Sequence, residues 1–313
     1  MATSSSPEPA QLADLHRLRR FLVVAEMGSL TKAAVVLDTT QSALSLQMGS
    51  LERECGDRLF YRTGRGVALT DLGDRLALRA RELLRGAELL SQEIRAAAGV
   101  AVGEVTIGLL PSISAGLVSL LLREVIAELP LVKLRILEGS NGQLDEWLSE
   151  GRLDLAVLYR YGNLLDANEE SLCTIDSWLV GPQGDRLTAL PEVSFSQLDG
   201  LALILPGMPN GLRAAMNLHA RRKSIALKVA VEVDSIPTQM GLAAGGFGYA
   251  VLGLHAVTAE LVGGKLQASR LVGPGIERVV TLATSSRHPE TLASKAIATR
   301  LRRLVLKILH QAG

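Results

Sequence analysis

The chain has 313 residues, 48% of them hydrophobic and 21% charged, which excludes a disordered chain and leaves room for about two or three domains. Its 33 Lys and Arg against 32 Asp and Glu leave a formal net charge of +1, so no overall basic field marks a nucleic-acid partner; any such binding has to come from a local arrangement. Aromatic residues are only 3%, which argues against base stacking as the main binding mode. Cys55 and Cys173 lie far apart in the chain with no CxxC spacing, which excludes a disulfide framework and speaks against a zinc site. No apolar run reaches the roughly 18 residues of a membrane helix. The Ser-, Ala- and Pro-rich start, Met1 to Ala10, lacks the order of a secretory signal. A soluble, cytoplasmic, multidomain protein with no membrane partner is expected.

After a disordered tail over 1–12, the chain reads as helical from about Leu15. Leu15, Leu18, Phe21, Leu22 and Ala25 recur at helical spacing, and Gly28 ends that helix. Ser29 offers an N-cap for a second helix to Leu37, with Ala33, Ala34 and Leu37 facing inward. After the turn Asp38-Thr39-Thr40, a third helix runs from about Gln41 to Glu54. Burying Leu44, Met48 and Leu51 turns Gln41, Ser42, Ser45 and Gln47 outward. Gln can bridge adenine N6 and N7, and Ser can donate or accept, so this edge fits the reader of a helix-turn-helix. An ordinary αα-hairpin with a solvated polar face fits the same residues.

Leu59–Arg62 and Val67–Thr70 read as two short strands around the turn Thr63-Gly64-Arg65-Gly66. A hairpin with Arg62 and Arg65 near its tip resembles a wing whose cations hold phosphates or probe the minor groove, with Arg58 as a further phosphate contact. Thr70 can cap a long helix reaching about Ala98. Leu72, Leu76, Ala80, Leu83, Ala87, Leu90, Ile94 and Ala97 form a near-heptad seam along it. This favours a dimerisation coiled coil, with Leu72, Leu76, Leu83, Leu90 and Ile94 as its apolar residues, over one helix of a bundle. Two readers related by a two-fold axis reach major grooves about 34 Å apart on a near-palindromic site.

Gly28-Ser29-Leu30-Thr31-Lys32-Ala33-Ala34, Gln41-Ser42-Ala43-Leu44-Ser45, Leu51-Glu52, Arg58-Leu59-Phe60, Arg62 and Leu69-Thr70, in this order over about 60 residues, resemble the N-terminal domain of LysR-type transcriptional regulators. Nearly the whole chain fits that layout. Glu138-Gly139, Glu146-Trp147-Leu148 and Gly151–Leu155 are similar to the subgroup that includes nitrogen-assimilation control regulators. The resemblance implies a DNA-facing set of Ser29, Thr31, Lys32, Gln41, Ser42, Ala43, Ser45, Leu46, Gln47, Arg58, Arg62, Thr63 and Arg65. The partners it implies are double-stranded promoter DNA and RNA polymerase, and the assembly it implies is a homodimer building a homotetramer. The chain departs from the family in having Ser42 where Pro is common, Leu46 where a basic residue is common, and Met48-Gly49-Ser50 where cations usually follow. Leu46 can meet a thymine methyl instead. Gly49 inside a helix costs about 0.8–1 kcal/mol relative to Ala.

From Glu104 strands alternate with helices, which predicts parallel sheet covered by helices. The expected strands are Val105–Leu110, Val132–Leu137, Leu153–Tyr159, Ile175–Val180, Leu201–Leu205, Ala226–Val233, Tyr249–Leu252, Leu266–Val272 and Val279–Ala283. Helices are expected from Pro111 to about Ala127, Asn141 to Glu150, Asn210 to Ala220, Ser235 to Ala244 and Leu292 to His310. The fold class is therefore α/β and multidomain: a winged helix-turn-helix over 13–70, a linker helix over 71–98, a hinge over 99–103, and a two-lobed domain resembling periplasmic binding proteins over 104–313. Lobe I takes 104–175 and 279–313, and lobe II takes 176–278.

Ligands in open α/β sheets sit outside the carboxyl ends of strands. This makes Ser112 with Ser114, Asn141, and Pro206 to Asn210 candidates for an effector, and Phe247 a candidate for the interlobe cleft. Ser112 and Asn141 also fit plain helix caps. The resemblance strengthens both, since the family's pockets use hydroxyl or amide groups at the matching places, and it implies a small organic acid or amide. The subgroup likeness also admits a regulator controlled by its own level, without an effector. Arg213 fits a surface salt bridge better than a ligand contact. Gly241 to Gly248 lies between a helix and a strand, the reverse of the order a phosphate loop needs. His16, His219, His255, His288 and His310 show neither metal spacing nor a nucleophile partner. No catalytic residue, metal or cofactor is expected. The remote alternative, a solute-binding or enzymatic α/β protein, lacks an export signal and paired acid–base groups.

Overall fold

In this computed structural model the described residues are 14–64, 66–96, 99–162, 165–287 and 289–311. The expected tail over 1–12, Arg65, Ala97 and His288 lie outside them. The chain divides into two compact units, 1–98 and 99–313.

The N-terminal unit opens with helices α1 (Leu15–Met27), α2 (Leu30–Val36) and α3 (Gln41–Cys55). Asp14 caps α1 by accepting from His16 N–H at 2.8 Å, and Gly28 ends it in the left-handed region. Leu18, Phe21 and Leu22 of α1, Ala33 and Ala34 of α2, and Leu44, Met48 and Leu51 of α3 form the core. The two alanines keep α2 thin enough to lie against α1 and α3. Strands β1 (Phe60–Thr63) and β2 (Gly66–Leu69) pair antiparallel with Thr63 opposite Gly66. Phe60 seals the core beside Phe21, with ring centroids 5.3 Å apart. The Glu52 carboxylate accepts from the backbone N–H groups of Leu59 and Phe60 at 2.9 and 3.2 Å, fixing the hairpin to α3.

Thr70 caps α4 (Asp71–Ala96) through Gly73 N–H at 3.0 Å. The expectation of one continuous unpartnered seam needs correction. The start of α4 packs along α1, so Leu72 and Leu76 lie partly buried against the unit's own core, and Ala80 is buried there. Leu83, Leu90 and Ile94 are 45%, 60% and 70% exposed, so only the later part of the seam is free of its own chain.

The C-terminal unit contains two sheets. The first has the order β4 (Val132–Glu138), β3 (Gly103–Leu109), β5 (Leu155–Arg160), β13 (Arg278–Thr284), β6 (Glu169–Ile175). The second has the order β10 (Lys228–Glu232), β9 (Ala202–Leu205), β11 (Tyr249–Leu252), β7 (Trp178–Pro182), β12 (Leu266–Val272), β8 (Glu192–Ser194). Helices α5 (Pro111–Glu128), α6 (Asn141–Ser149) and α10 (Leu292–Gln311) belong with the first; α7 (Gly211–Lys223), α8 (Ile236–Ala244) and α9 (Leu254–Val262) belong with the second. No helix among the described residues is long and apolar enough to cross a membrane.

Three expectations change here. The sheets are mixed, not parallel: β13 runs antiparallel to β5 and β6, and β7 antiparallel to β11 and β12. These strands flank the two passages of the chain between sheets, where no covering helix intervenes to return it in parallel. The expected strand Ile175–Val180 is broken at Asp176-Ser177, which is the first of those passages. Strands β6 and β8 and helix α9 were not anticipated. β6 is a half-polar edge strand with little alternation, β8 has three residues, and the apolar run of α9 carries no cap hydrogen bond to mark its start.

Candidate nucleic-acid interface and interlobe cleft

In the N-terminal unit, Thr40 caps α3 by accepting from Ala43 N–H at 3.2 Å, and its hydroxyl lies 3.2 Å from that of Ser42. The helix N-terminus therefore presents short polar groups beside free backbone donors, the positive end of its dipole. Gln41, Ser42 and Leu46 are exposed, Leu46 by 75%, while Ala43, Ser45 and Gln47 are half-buried. Gln47 departs from the rest: its Oε1 accepts from Arg20 Nη1 at 2.6 Å, so part of its amide is committed to α1. Ser29 caps α2 through Lys32 N–H at 3.4 Å, leaving Thr31 and Lys32 exposed. Arg58, Arg62 and Thr63 are exposed on and before the hairpin, beside Tyr61, which is 58% exposed. Arg17 and Glu54 lock α1 to the end of α3 through two hydrogen bonds of 2.9 and 2.7 Å. That guanidinium holds Glu54 below the ordinary carboxylate range.

In the C-terminal unit a cavity of about 1080 Å³ opens between the lobes, lined from both sheets. Of the anticipated residues, Ser112, Asn141, Pro206 and Asn210 line it. Ser114 does not: it is 3% exposed, one turn inside α5. Phe247 does not either: it is 69% exposed, folded over Gly245 in the turn after α8. The cap of α6 is Ser140, in a reciprocal pair with Gln143, rather than Asn141. Asn141 Oδ1 instead accepts from Tyr159 N–H at 3.0 Å, bracing the end of β5. Asn210 caps α7 through Arg213 N–H at 3.2 Å, and Arg213 pairs with Glu232 at 3.0 Å, as a surface salt bridge.

The centre of the cleft is a network that the sequence pattern did not reveal. Tyr159 Oη lies 3.0 Å from Ser112 Oγ and 2.8 Å from His255 Nε2, so one phenol joins lobe I to lobe II. The Arg278 guanidinium lies 5.3 Å from the centroid of the Tyr159 ring, and its Nη2 donates to Ser177 Oγ at 3.2 Å. Burial pushes the Tyr159 hydroxyl up to about 12 and, with the Arg278 charge second, holds the His255 imidazole down to about 3. Both groups are neutral at neutral pH, so Arg278 is the charge in this network. The residues come from five separate segments, and nothing in local spacing links them.

Cys55 and Cys173 are unpaired and half-buried, and burial pushes both thiols up. Among the described residues no group of His, Cys, Asp or Glu is placed to hold a metal ion.

Comparison with known proteins follows these two regions. Residues 15–74 match the family "Bacterial regulatory helix-turn-helix protein, lysR family", and residues 98–305 match "LysR substrate binding domain". The chain is 31% identical to the nitrogen assimilation regulatory protein nac of Escherichia coli (strain K12), covering 91% of this chain and 93% of that one. It is 32% identical to the protein of that name from Klebsiella aerogenes, over 92% and 95%. Among solved structures, full-length OxyR C199D from Pseudomonas aeruginosa shares the fold with a TM-score of 0.69 at 24% identity, covering 92% of this chain and 97% of that one. CbnR complexed with its target DNA does so with a TM-score of 0.66 at 20% identity, over 93% and 99%.

Proposed function

The chain belongs to the LysR family, as a DNA-binding transcriptional regulator with a C-terminal substrate-binding domain, and from that premise we propose that it binds a near-palindromic promoter site as a homodimer that assembles to a homotetramer, modulated by a small molecule in the interlobe cleft. The observation that carries the DNA reading is the exposed N-terminal edge of α3, with Gln41 and Ser42 outward and Leu44, Met48 and Leu51 buried behind them. Gln41, Ser42, Ser45 and Leu46 read base edges in the major groove. Arg58, Arg62 and the wing hold phosphates, a term that weakens with salt. The solved complex of CbnR with its target DNA supports the same use of this fold. Leu83, Leu90 and Ile94 are the apolar stripe through which two copies of α4 pair.

The effector acts by population shift. A ligand that prefers one closure of the lobes biases the assembly toward the DNA-bound arrangement compatible with it, with a coupling of about 1–3 kcal/mol. The cleft's buried polar network supports this reading over control by protein level alone.

Gel retardation with the upstream DNA of its own gene, over a salt series, tests the proposal. Gln41→Ala or Ser45→Ala is expected to abolish specific retention while the protein stays oligomeric. Leu90→Glu is expected to give a monomer that no longer retains DNA specifically. Unchanged retention in both α3 variants would remove the reader assignment, and an intact dimer in Leu90→Glu would remove the α4 interface.

A further inference from the structure

We propose that Arg278 anchors the carboxylate of a small monoanionic effector, and that Gln239 accepts a hydrogen bond from a hydroxyl or amino group of the same molecule. The proposal rests on the reading that the cleft holds an effector, and it states what that effector must carry.

Arg278 is 5% exposed and lines the cleft. A buried guanidinium is costly unless an opposite charge and hydrogen bonds compensate it. The fold supplies such compensation elsewhere. Arg160 is clasped by Asp145 at 2.6 and 2.9 Å and by Glu169, and Arg213 is held by Glu232. Among the described residues no carboxylate pairs with Arg278. One terminal nitrogen donates to the neutral Ser177 hydroxyl, the neutral Tyr161 hydroxyl is a further hydrogen-bond partner, the face lies against the Tyr159 ring, and Nε has no partner. His255 and Tyr159 beside it are neutral and do not offset the charge. A ligand carboxylate supplies the missing counter-charge with the geometry a guanidinium favours.

Gln239 contributes a second orphaned atom to the same cavity. It is 3% exposed, and its Nε2 donates to Val233 O at 2.7 Å, which orients the amide. Oε1 is then a buried acceptor without a partner. A ligand hydroxyl or amino group satisfies it; a ligand lacking that donor leaves it unpaired.

Charge elsewhere in the cavity limits the ligand to one anionic group. Glu138, Glu146 and Asp234 also line it, and a polyanion or phosphate would meet their repulsion. The anchor's position fits a regulatory role. Arg278 begins β13 and Ser177 lies between β6 and β7, so the pair sits where the chain passes between the sheets. An anion on Arg278 acts directly on the segments about which the lobes close.

The test uses the full-length protein and calorimetry plus thermal melting. The probes are carboxylic acids of two to six carbons, each with and without an α-hydroxy or α-amino group, and each paired with its primary amide. At least one hydroxy or amino acid is expected to bind in the micromolar-to-millimolar range and raise Tm, and its amide is not. Arg278→Gln should lower that affinity by about 10- to 100-fold, Arg278→Lys by less. Gln239→Leu should reduce the substituted acid to the affinity of its unsubstituted parent. Equal binding of acids and amides, undiminished binding by Arg278→Gln, or no acid binding at millimolar concentration would overturn the anchor. Should Arg278→Gln not fold, the acid–amide contrast in the unmodified protein and the Arg278→Lys affinity decide. Specific DNA retention, measured on the same samples, reports separately on the regulator itself.

Discussion

Val67 donates its backbone N–H to the carbonyl oxygen of Gly28 at 2.8 Å, tying the wing's second strand to the turn between α1 and α2. The bond requires bare backbone at Gly66, and the conformation favours glycine at Gly28. Gly28 is left-handed at φ +58°, and a Cβ at Gly66 (φ +153°) would lie 2.1 Å from Gly28 O. The wing is thereby set beside Ser29 and the start of α2. Gly66→Ala is expected to destabilise the N-terminal unit by about 1–3 kcal/mol and to weaken DNA retention at a given salt concentration. Chemical denaturation and gel retardation measure the two effects, and an unchanged denaturation midpoint would show that the contact gives way freely.

Gly49 presents the opposite case. It lies inside α3, and a Cβ there meets nothing within 4 Å. Gly49→Ala should stabilise the protein by about 0.8–1 kcal/mol through helix propensity and lost unfolded-state freedom. A rise in Tm checks this; a fall would mean that Gly49 lies against a surface of the assembled protein.

The Arg17–Glu54 pair makes the N-terminal unit acid-sensitive. Glu54 is depressed in the folded state, chiefly by its hydrogen bonds from Arg17. Its contribution is complete above the ordinary glutamate pKa and is lost as pH falls through the lower folded value. Glu54→Gln should cost about 1 kcal/mol at pH 7 and flatten the loss of stability below about pH 4.5. Denaturant midpoints from pH 7 to 3, in both proteins, provide the comparison.

His255 acts in the same direction, over a higher pH window. Its folded value, about 3, lies below the ordinary 6.5, so the unfolded chain takes up a proton first as pH falls. Stability of the C-terminal unit therefore declines from about pH 6.5 downward, by up to 1.4 kcal/mol per pH unit for this one group. His255→Gln keeps a polar group near Tyr159 but cannot charge, and should remove that slope between pH 6.5 and 5. An identical slope in the variant would place the pH sensitivity elsewhere.

The helix-turn-helix, the hairpin after it and the strands Tyr249–Leu252 and Leu266–Val272 were legible in the chain, because caps, glycine turns and apolar periodicity act within a few residues. Gln41 and Ser42 were legible for the same reason: once one side of a short helix is committed to the core, the other side faces outward; Leu46 entered only through the resemblance, and Ser45, expected outward, is half-buried. Gln47 escaped because its partner, Arg20, lies on another helix. Leu72 and Leu76 followed the same seam rhythm as Leu83 and Leu90, yet α1 covers only the first pair; periodicity records which face is apolar and not what meets it. The cleft shows the limit most sharply. Ser112, Tyr159, His255 and Arg278 are dispersed over more than half of the chain, and their hydrogen bonds, neutrality and unbalanced charge arise only when two mixed sheets bring them together. Local sequence determined most of the elements and the outward polar edge of α3; burial and electrostatics, which depend on every neighbour at once, were decided by the tertiary structure alone.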